Sequence, residues 1–75
     1  MNIIELKKLL IESNVPSNHY SLKGGFPSEA LVIAKSNNGW EVYYSERGLK
    51  SGRMEFLNKN DACIYFYSLI KEYAK

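Results

Sequence analysis

The side chains that could carry chemistry are few in this chain and lie far apart in the sequence. His19 is the only histidine and Cys63 is the only cysteine, so neither has a second ligand of its own kind for a metal ion. A serine nucleophile needs a base beside it, and Ser21, Ser45 and Ser51 have no motif around them that would supply one. We therefore expect no catalytic residue, no metal site and no cofactor. His19 is interpreted as a surface residue and Cys63 as a core residue.

Two further patterns could belong to an enzyme, and both have a plainer interpretation. Glu41, Glu46 and Glu55 could supply a pair of carboxylates, but glutamates are common on the solvated face of a strand. The double glycine in "LKGGFP" lacks the Gly-Lys-Ser/Thr ending of a phosphate loop and precedes a proline instead of a helix. It is typical of a tight turn. These patterns favour a protein without enzymatic activity.

The composition indicates one small α+β domain that comprises residues 1–75. The net charge is +2, from 10 basic and 8 acidic residues, which is too weak to predict binding to nucleic acid or to a membrane surface. A single cysteine leaves no internal disulfide and favours a reducing compartment. The first residues, "MNIIELKKLLIESN", lack the cleavage site of a signal peptide, and no apolar run is long enough to span a bilayer. The sequence thus predicts a cytoplasmic protein.

Two amphipathic helices are expected, one near each end of the chain. Apolar residues recur at three- and four-residue spacing within residues 2–13: Ile3, Leu6, Leu9 and Leu10. Pro16 marks the end of this helix. Asn58 or Asn60 can cap the second helix, with Asp61 in its first turn. Its apolar stripe consists of Ala62, Cys63, Phe66, Leu69, Ile70 and Tyr73.

A β-hairpin is expected between the helices, with Asn38–Gly39 as its two-residue turn. This turn places Leu31, Ile33, Trp40, Val42 and Tyr44 on one face. The other face carries Ala34, Ser36, Glu41, Tyr43, Ser45 and Arg47. A four-residue turn keeps these faces, whereas a three-residue turn would reverse one strand.

The stretch "RMEFL" predicts another strand, in which Met54 and Phe56 alternate with Arg53 and Glu55. "HYSL" can add a short fourth strand, closed by the turn residues "KGG" and Pro27. The expected architecture is α-β-β-β-α, with a three- or four-stranded antiparallel sheet. Both helices pack on one face of this sheet, and the other face is in contact with water.

The solvated face contains the candidate residues for binding a partner. They are Glu41, Tyr43, Ser45 and Arg47, with Arg53 and Glu55 on the neighbouring strand. Tyrosine and arginine are enriched in binding hot spots. The alternative is ordinary cross-strand pairing on a wet face, which stabilises a sheet by about 0.2–1 kcal/mol per pair.

Three stretches resemble the small immunity proteins of bacterial polymorphic toxin systems: "NHYSLKGGFPSEA", "GWEVYYSERG" and "ACIYFYSLI". The resemblance rests mainly on "YSLKGG" and "WEVYYSERG" and covers roughly residues 18–48, with support from "DACIYF". It implies a cytosolic, single-domain, non-catalytic protein that neutralises a toxin domain by covering its active site. Immunity proteins against nuclease toxins are typically strongly acidic, so a net charge of +2 leaves the class of toxin open.

This interpretation carries expectations for three substitutions. Tyr43→Ala or Arg47→Ala should weaken partner binding by about 1 kcal/mol or more, with little change in melting temperature. Trp40→Ala should instead destabilise the fold, by about 3–5 kcal/mol if the ring is fully buried.

Two other functions remain open. A small regulatory or scaffold protein would bury the same aromatic face in a homodimer. The order helix, three strands, helix is also that of double-stranded RNA-binding domains. The last helix of those domains begins with several lysines, whereas this one begins "NKNDACIYF". The start of the predicted second helix therefore lacks the lysines with which those domains contact RNA phosphates.

Overall fold

A computed structural model describes residues 1–73 of the chain, apart from the side chain of Tyr73, which was predicted to extend the second helical stripe. Its elements are α1 (Ile3–Glu12), β1 (Tyr20–Ser21), β2 (Ala30–Ser36), β3 (Gly39–Glu46), β4 (Leu49–Phe56) and α2 (Lys59–Tyr73). A single 3-10 turn, Ser17–His19, precedes β1. The predicted α+β class is confirmed, and the optional fourth strand is present.

Both helices begin at asparagine caps. The backbone N–H of Glu5 donates to the side-chain oxygen of Asn2 at 2.9 Å, and the backbone N–H of Asn2 donates back to the Glu5 carboxylate at 3.2 Å. For α2, the backbone N–H of Asp61 donates to Asn58 at 2.8 Å, so Asn58 is the cap. α1 ends where Asn14 enters the left-handed region, with φ of 58°. The caps fix where each helix presents its apolar stripe.

The sheet is mixed, with the strand order β1-β2-β3-β4. β2, β3 and β4 are antiparallel neighbours, but β1 runs parallel to β2, with Tyr20 paired to Leu31. The prediction of a wholly antiparallel sheet is therefore wrong for β1. Parallel neighbours require a crossover, because the chain must return to the end of the sheet from which it started. Residues 22–29 form this crossover without a helix.

The turn between β2 and β3 differs from the predicted one. Ser36 pairs with Gly39, so the turn residues are Asn37 and Asn38. Gly39 is instead used for close approach, because a Cβ atom there would lie 2.3 Å from the carbonyl oxygen of Phe56. The register shifts by two residues, and a shift of two leaves every side chain within β2 and β3 on its predicted face.

One face of the sheet, here called the helix-packed face, forms the core with both helices. Its buried members are Leu31, Ile33 and Val42, which join Leu6 and Leu10 of α1 and Ala62, Cys63, Phe66 and Ile70 of α2. Trp40 lies at the margin of this core and is only partly buried, with the Lys59 ammonium 5.5 Å from its ring centroid. The loss expected for Trp40→Ala thus falls below that of a fully buried aromatic residue.

Candidate functional site

The other side of the sheet carries most of the predicted partner-binding residues. We define the polar face by Glu41, Tyr43 and Ser45 of β3 and Lys50, Arg53 and Glu55 of β4. The register pairs Glu41 with Glu55 and Ser45 with Lys50, so these side chains point away from the helices. Five predicted residues thus share one surface. Arg47 lies outside it, in the turn between β3 and β4.

The crossover lies across this face and buries part of it. The Tyr43 hydroxyl donates to the carbonyl oxygen of Gly25 at 2.7 Å. A Cβ atom at Gly24 would lie 3.1 Å from that of Ala34, so this glycine allows the crossover to approach β2 closely. The exposed fractions are 7% for Glu41, 2% for Tyr43 and 0% for Ser45. The prediction that this face is in contact with water is wrong at these positions, because the parallel β1 requires the chain to cross here.

A network of charges extends from the buried part of the polar face to its surface. The Glu41 carboxylate accepts hydrogen bonds from Arg53 Nε at 2.5 Å and from Lys50 Nζ at 3.3 Å. The Arg53 guanidinium also pairs with Glu55. Burial alone would raise the pKa of the Glu41 carboxyl, but the hydrogen bonds and positive charges of Arg53 and Lys50 outweigh it and lower this pKa below its usual value. Glu41 is thus held ionised beneath the surface.

A β-bulge places the two cations beside the same carboxylate. Val42 pairs with Met54, but Tyr44 pairs with Ser51, so Gly52 and Arg53 together face a single residue of β3. Gly52 has φ of 61°, in the left-handed region that glycine adopts without strain. In a regular strand, residues 50 and 53 would point to opposite faces. The bulge therefore brings Lys50 and Arg53 together.

Lys50 also links the polar face to the crossover. Its ammonium lies 4.6 Å from the ring centroid of Tyr43 and 5.8 Å from that of Phe26, which is 59% exposed. Burial and the charge of Glu41 raise the pKa of the Tyr43 hydroxyl. Sequence reasoning missed both Lys50 and Phe26. The glycine at position 52 could have indicated the bulge that places Lys50, but the position of Phe26 depends on the crossover and has no local signal.

The remaining two predicted residues differ in their surroundings. Ser45 is buried, and its hydroxyl has no hydrogen-bond partner within residues 1–73. Arg47 is exposed in the two-residue turn Arg47–Gly48, where φ is 52° and 78°, so the prediction that it lies on the strand is wrong. Two positive φ angles define the hairpin turn that matches the twist of the strands. This turn separates Arg47 from the regular alternation of β3.

The polar face presents side chains that are fixed by their interactions with one another. Its acidic and basic groups are paired with one another, and Phe26 presents an exposed ring beside them.

Among the described residues, no three of His, Cys, Asp or Glu come together in a way that could hold a metal ion. No described helix is long and apolar enough to cross a bilayer. No protein-family model, curated protein sequence or solved structure matches this chain.

Proposed function

We propose that this chain is a non-catalytic, cytosolic protein-binding module of the immunity type, which binds and neutralises a bacterial toxin domain. The observation that carries the proposal is Arg53, an accessible arginine held between the carboxylates of Glu41 and Glu55. The sequence resemblance to immunity proteins supports the kind of partner. The contact surface that we assign consists of Arg53 and its exposed neighbours on and beside the polar face.

Arg53 is suited to binding because its conformation is fixed before a partner arrives. Immobilising a flexible side chain in an interface costs about 0.5–1.5 kcal/mol. The two carboxylates already restrict the Arg53 side chain in the free protein, so binding a partner costs less of this free energy. Arginine and aromatic side chains dominate binding hot spots. The half-exposed Lys50 shares the Glu41 carboxylate with Arg53, and Phe26 lies beside Lys50, so both extend the same surface.

Five of the six residues predicted from the sequence take part in this proposal, in two different ways. Arg47, Arg53 and Glu55 are exposed and can contact a partner directly. Glu41 and Tyr43 are buried and act as positioning residues, the first for the two cations and the second for the crossover that bears Phe26. We accordingly revise the expectation for Tyr43→Ala, which should destabilise the fold as well as weaken binding.

The backbone at Arg47 supports a contact role for this residue. A left-handed conformation costs an ordinary L-residue roughly 1–2 kcal/mol. Asparagine, aspartate and glycine are the usual residues at this position of the turn. Strained residues cluster at functional sites, where their side chains are needed for a reason other than stability. An arginine at this position places a cation at the tip of the β3–β4 hairpin.

The proposal is tested by co-expressing the chain with the toxin candidate encoded by the adjacent gene and measuring growth rescue and complex formation. We expect a stable complex that restores growth. Arg53→Ala and Phe26→Ala should each weaken binding about tenfold, which corresponds to about 1.4 kcal/mol. Lys35→Ala removes an exposed cation from β2 outside the polar face, and it should bind like the unmodified chain.

Two results would contradict the proposal. Absence of both complex and rescue would remove the immunity function. If the chain rescues growth but Arg53→Ala and Phe26→Ala bind as tightly as Lys35→Ala, the interface lies elsewhere. Melting temperatures of the variants separate lost contacts from lost folding.

A homodimer through the edge strand β4 is the second candidate, and the position of β4 favours it. β4 is an edge strand of the sheet, and its Leu49 and Met54 are exposed. The bulge at Gly52 and the charges of Lys50 and Arg53 weaken such edge pairing, since both features are typical protections of a sheet edge. Light scattering at two concentrations distinguishes the two candidates. A mass that doubles at the higher concentration would favour the homodimer.

A further inference from the structure

A groove opens on the helix-packed side of the sheet, opposite to the polar face. Its volume is about 590 Å³, which is within the range of ligand-binding clefts. Leu31 and Tyr44 contribute to it from the strands and Tyr65 from α2. The segments that precede β1 and β2 supply polar side chains, among them His19 and Glu29. The groove is therefore part apolar and part polar.

Three polar side chains of this groove are available, in contrast to those of the polar face. The side chains of His19, Ser28 and Glu29 make no hydrogen bond or ion pair with any residue from 1 to 73. On the polar face, Glu41 is occupied by two cations and Tyr43 by a backbone carbonyl. A ligand in the groove can thus form hydrogen bonds without first breaking internal ones.

The charge of the groove favours a cationic ligand. Among residues 1–73, Glu29 is the only carboxylate that lines it, and neither lysine nor arginine does. The last β2–β3 pair is Ala30 with Ser45, and Glu29 and Glu46 each lie one residue beyond it, Glu29 before β2 and Glu46 at the end of β3. Negative charge at this end of the strands favours a cation there. Glu29 also has φ of 52°, in the left-handed region. Glycine would adopt this conformation without strain.

We propose that this groove binds an arginine side chain presented by a protein partner. The guanidinium group pairs with the Glu29 carboxylate and stacks on the aromatic ring of Tyr65. The Tyr65 ring is held in place by Phe56, with 5.1 Å between the ring centroids. Arginine fits better than lysine because its planar, weakly hydrated fork both stacks and forms two hydrogen bonds.

The size of the groove indicates a polypeptide as the source of the arginine. A volume of about 590 Å³ exceeds that of one side chain, so residues on either side of the arginine are accommodated as well. This inference is independent of the proposed function, since it concerns the opposite side of the sheet. Loss of one binding surface therefore leaves the other intact.

The experiment is a nuclear magnetic resonance titration of the ¹⁵N-labelled chain with a capped glycine-arginine-glycine tripeptide. The control peptide carries citrulline, which has the shape of arginine without its charge. We expect saturable shifts of the amides at His19, Glu29 and Ser51, with a Kd on the order of 1 mM for the arginine peptide. The citrulline peptide should bind at least about tenfold more weakly, as expected for loss of a charge-assisted hydrogen bond.

Two variants locate the binding site. Glu29→Gln removes the carboxylate of the groove and should weaken the arginine peptide at least about tenfold. Glu12→Gln makes the same change of charge on α1, outside the groove, and should leave the Kd unchanged. Melting temperatures confirm that both variants are folded.

The proposal is overturned if the citrulline peptide binds as tightly as the arginine peptide, or if neither peptide produces saturable shifts. It is also overturned if Glu12→Gln weakens binding as much as Glu29→Gln. Equal affinity for free arginine amide would show that flanking residues contribute nothing and would overturn the assignment to a protein partner.

Discussion

The two faces of the sheet are both buried over β3, but they are buried by different interactions. Val42 and Tyr43 are neighbours in the sequence, and each is almost wholly excluded from water. Val42 packs among apolar side chains of α2 and the sheet, where burial depends mainly on area and shape. Tyr43 is covered by the crossover and donates to one carbonyl oxygen, while Glu41 beside it needs two cations.

The difference shows how each face responds to change. Burial of apolar surface is non-directional, so the helix-packed face needs only side chains of suitable size. Burial of polar groups is favourable only when specific partners are present. The polar face thus depends on a few directed interactions, and it presents Arg53, Lys50 and Phe26 at positions that those interactions fix.

The largest expected effect lies in the helix-packed face. Phe66 is fully buried between α2 and the sheet. We expect Phe66→Ala to lower the free energy of unfolding by about 3–5 kcal/mol, because the substitution leaves a cavity. Phe26→Ala, on the exposed side of the crossover, should cost less than about 1 kcal/mol. Denaturant unfolding of both variants measures this contrast, and equal losses would show that the crossover belongs to the core.

The next effect concerns the buried carboxylate of the polar face. Glu41→Gln should lower the free energy of unfolding by about 1–2 kcal/mol at neutral pH, because it removes hydrogen bonds between a carboxylate and two cations. The effect is smaller than for a fully buried pair because Lys50 and Arg53 are partly exposed. The pKa of Glu41 is lowered in the folded state, so its contribution is present above the usual carboxyl pKa and is lost as the pH falls.

The difference between Glu41→Gln and the unmodified chain should therefore shrink once the pH drops below about 4. Denaturant unfolding across a pH series measures it. Glu55→Gln is the control, and its effect should be smaller because both Glu55 and Arg53 are exposed. A difference that does not change with pH would contradict the charge network.

A smaller effect is expected where the crossover is attached to the sheet. Tyr43→Phe removes the hydroxyl that donates to Gly25 and leaves the ring in place. We expect a loss of about 0.5–1.5 kcal/mol in the free energy of unfolding. Amide hydrogen exchange in residues 22–29 should accelerate more than exchange in β2 and β3. Unchanged exchange in residues 22–29 would show that this hydrogen bond does not hold the crossover.

The smallest effect should have the opposite sign. Ser45→Ala also removes one hydroxyl from the polar face, but this hydroxyl has no partner among the described residues. Removing an unsatisfied buried polar group should raise the free energy of unfolding by up to about 1 kcal/mol. Thermal or denaturant unfolding of Ser45→Ala and Tyr43→Phe, measured side by side, compares the contributions of the two hydroxyls. Destabilisation by Ser45→Ala would mean that the hydroxyl has a partner, such as a bound water.

Much of the fold could be predicted from the sequence, because the signals that specify it are local. The apolar periods predicted both helices and the two faces of the hairpin, and Asn58 was one of the two asparagines predicted as the cap of α2. The Asn2 cap of α1 was not predicted. The hairpin register was wrong by two residues, yet the faces were correct, since side chains alternate with a period of two. Of the candidate site, Glu41, Tyr43, Ser45, Arg53 and Glu55 were correctly assigned to one face.

Only the tertiary structure decided how the polar face is covered. The parallel pairing of β1 with β2 joins residues distant in the sequence, and no local pattern specifies its direction. This pairing sends residues 22–29 across the polar face, which buries Tyr43 and brings Phe26 beside Lys50. The bulge at Gly52 likewise depends on a partner strand. Local periodicity therefore determined the elements and their faces, whereas non-local pairing, and the path that it imposed on the chain, decided which polar residues reach the surface.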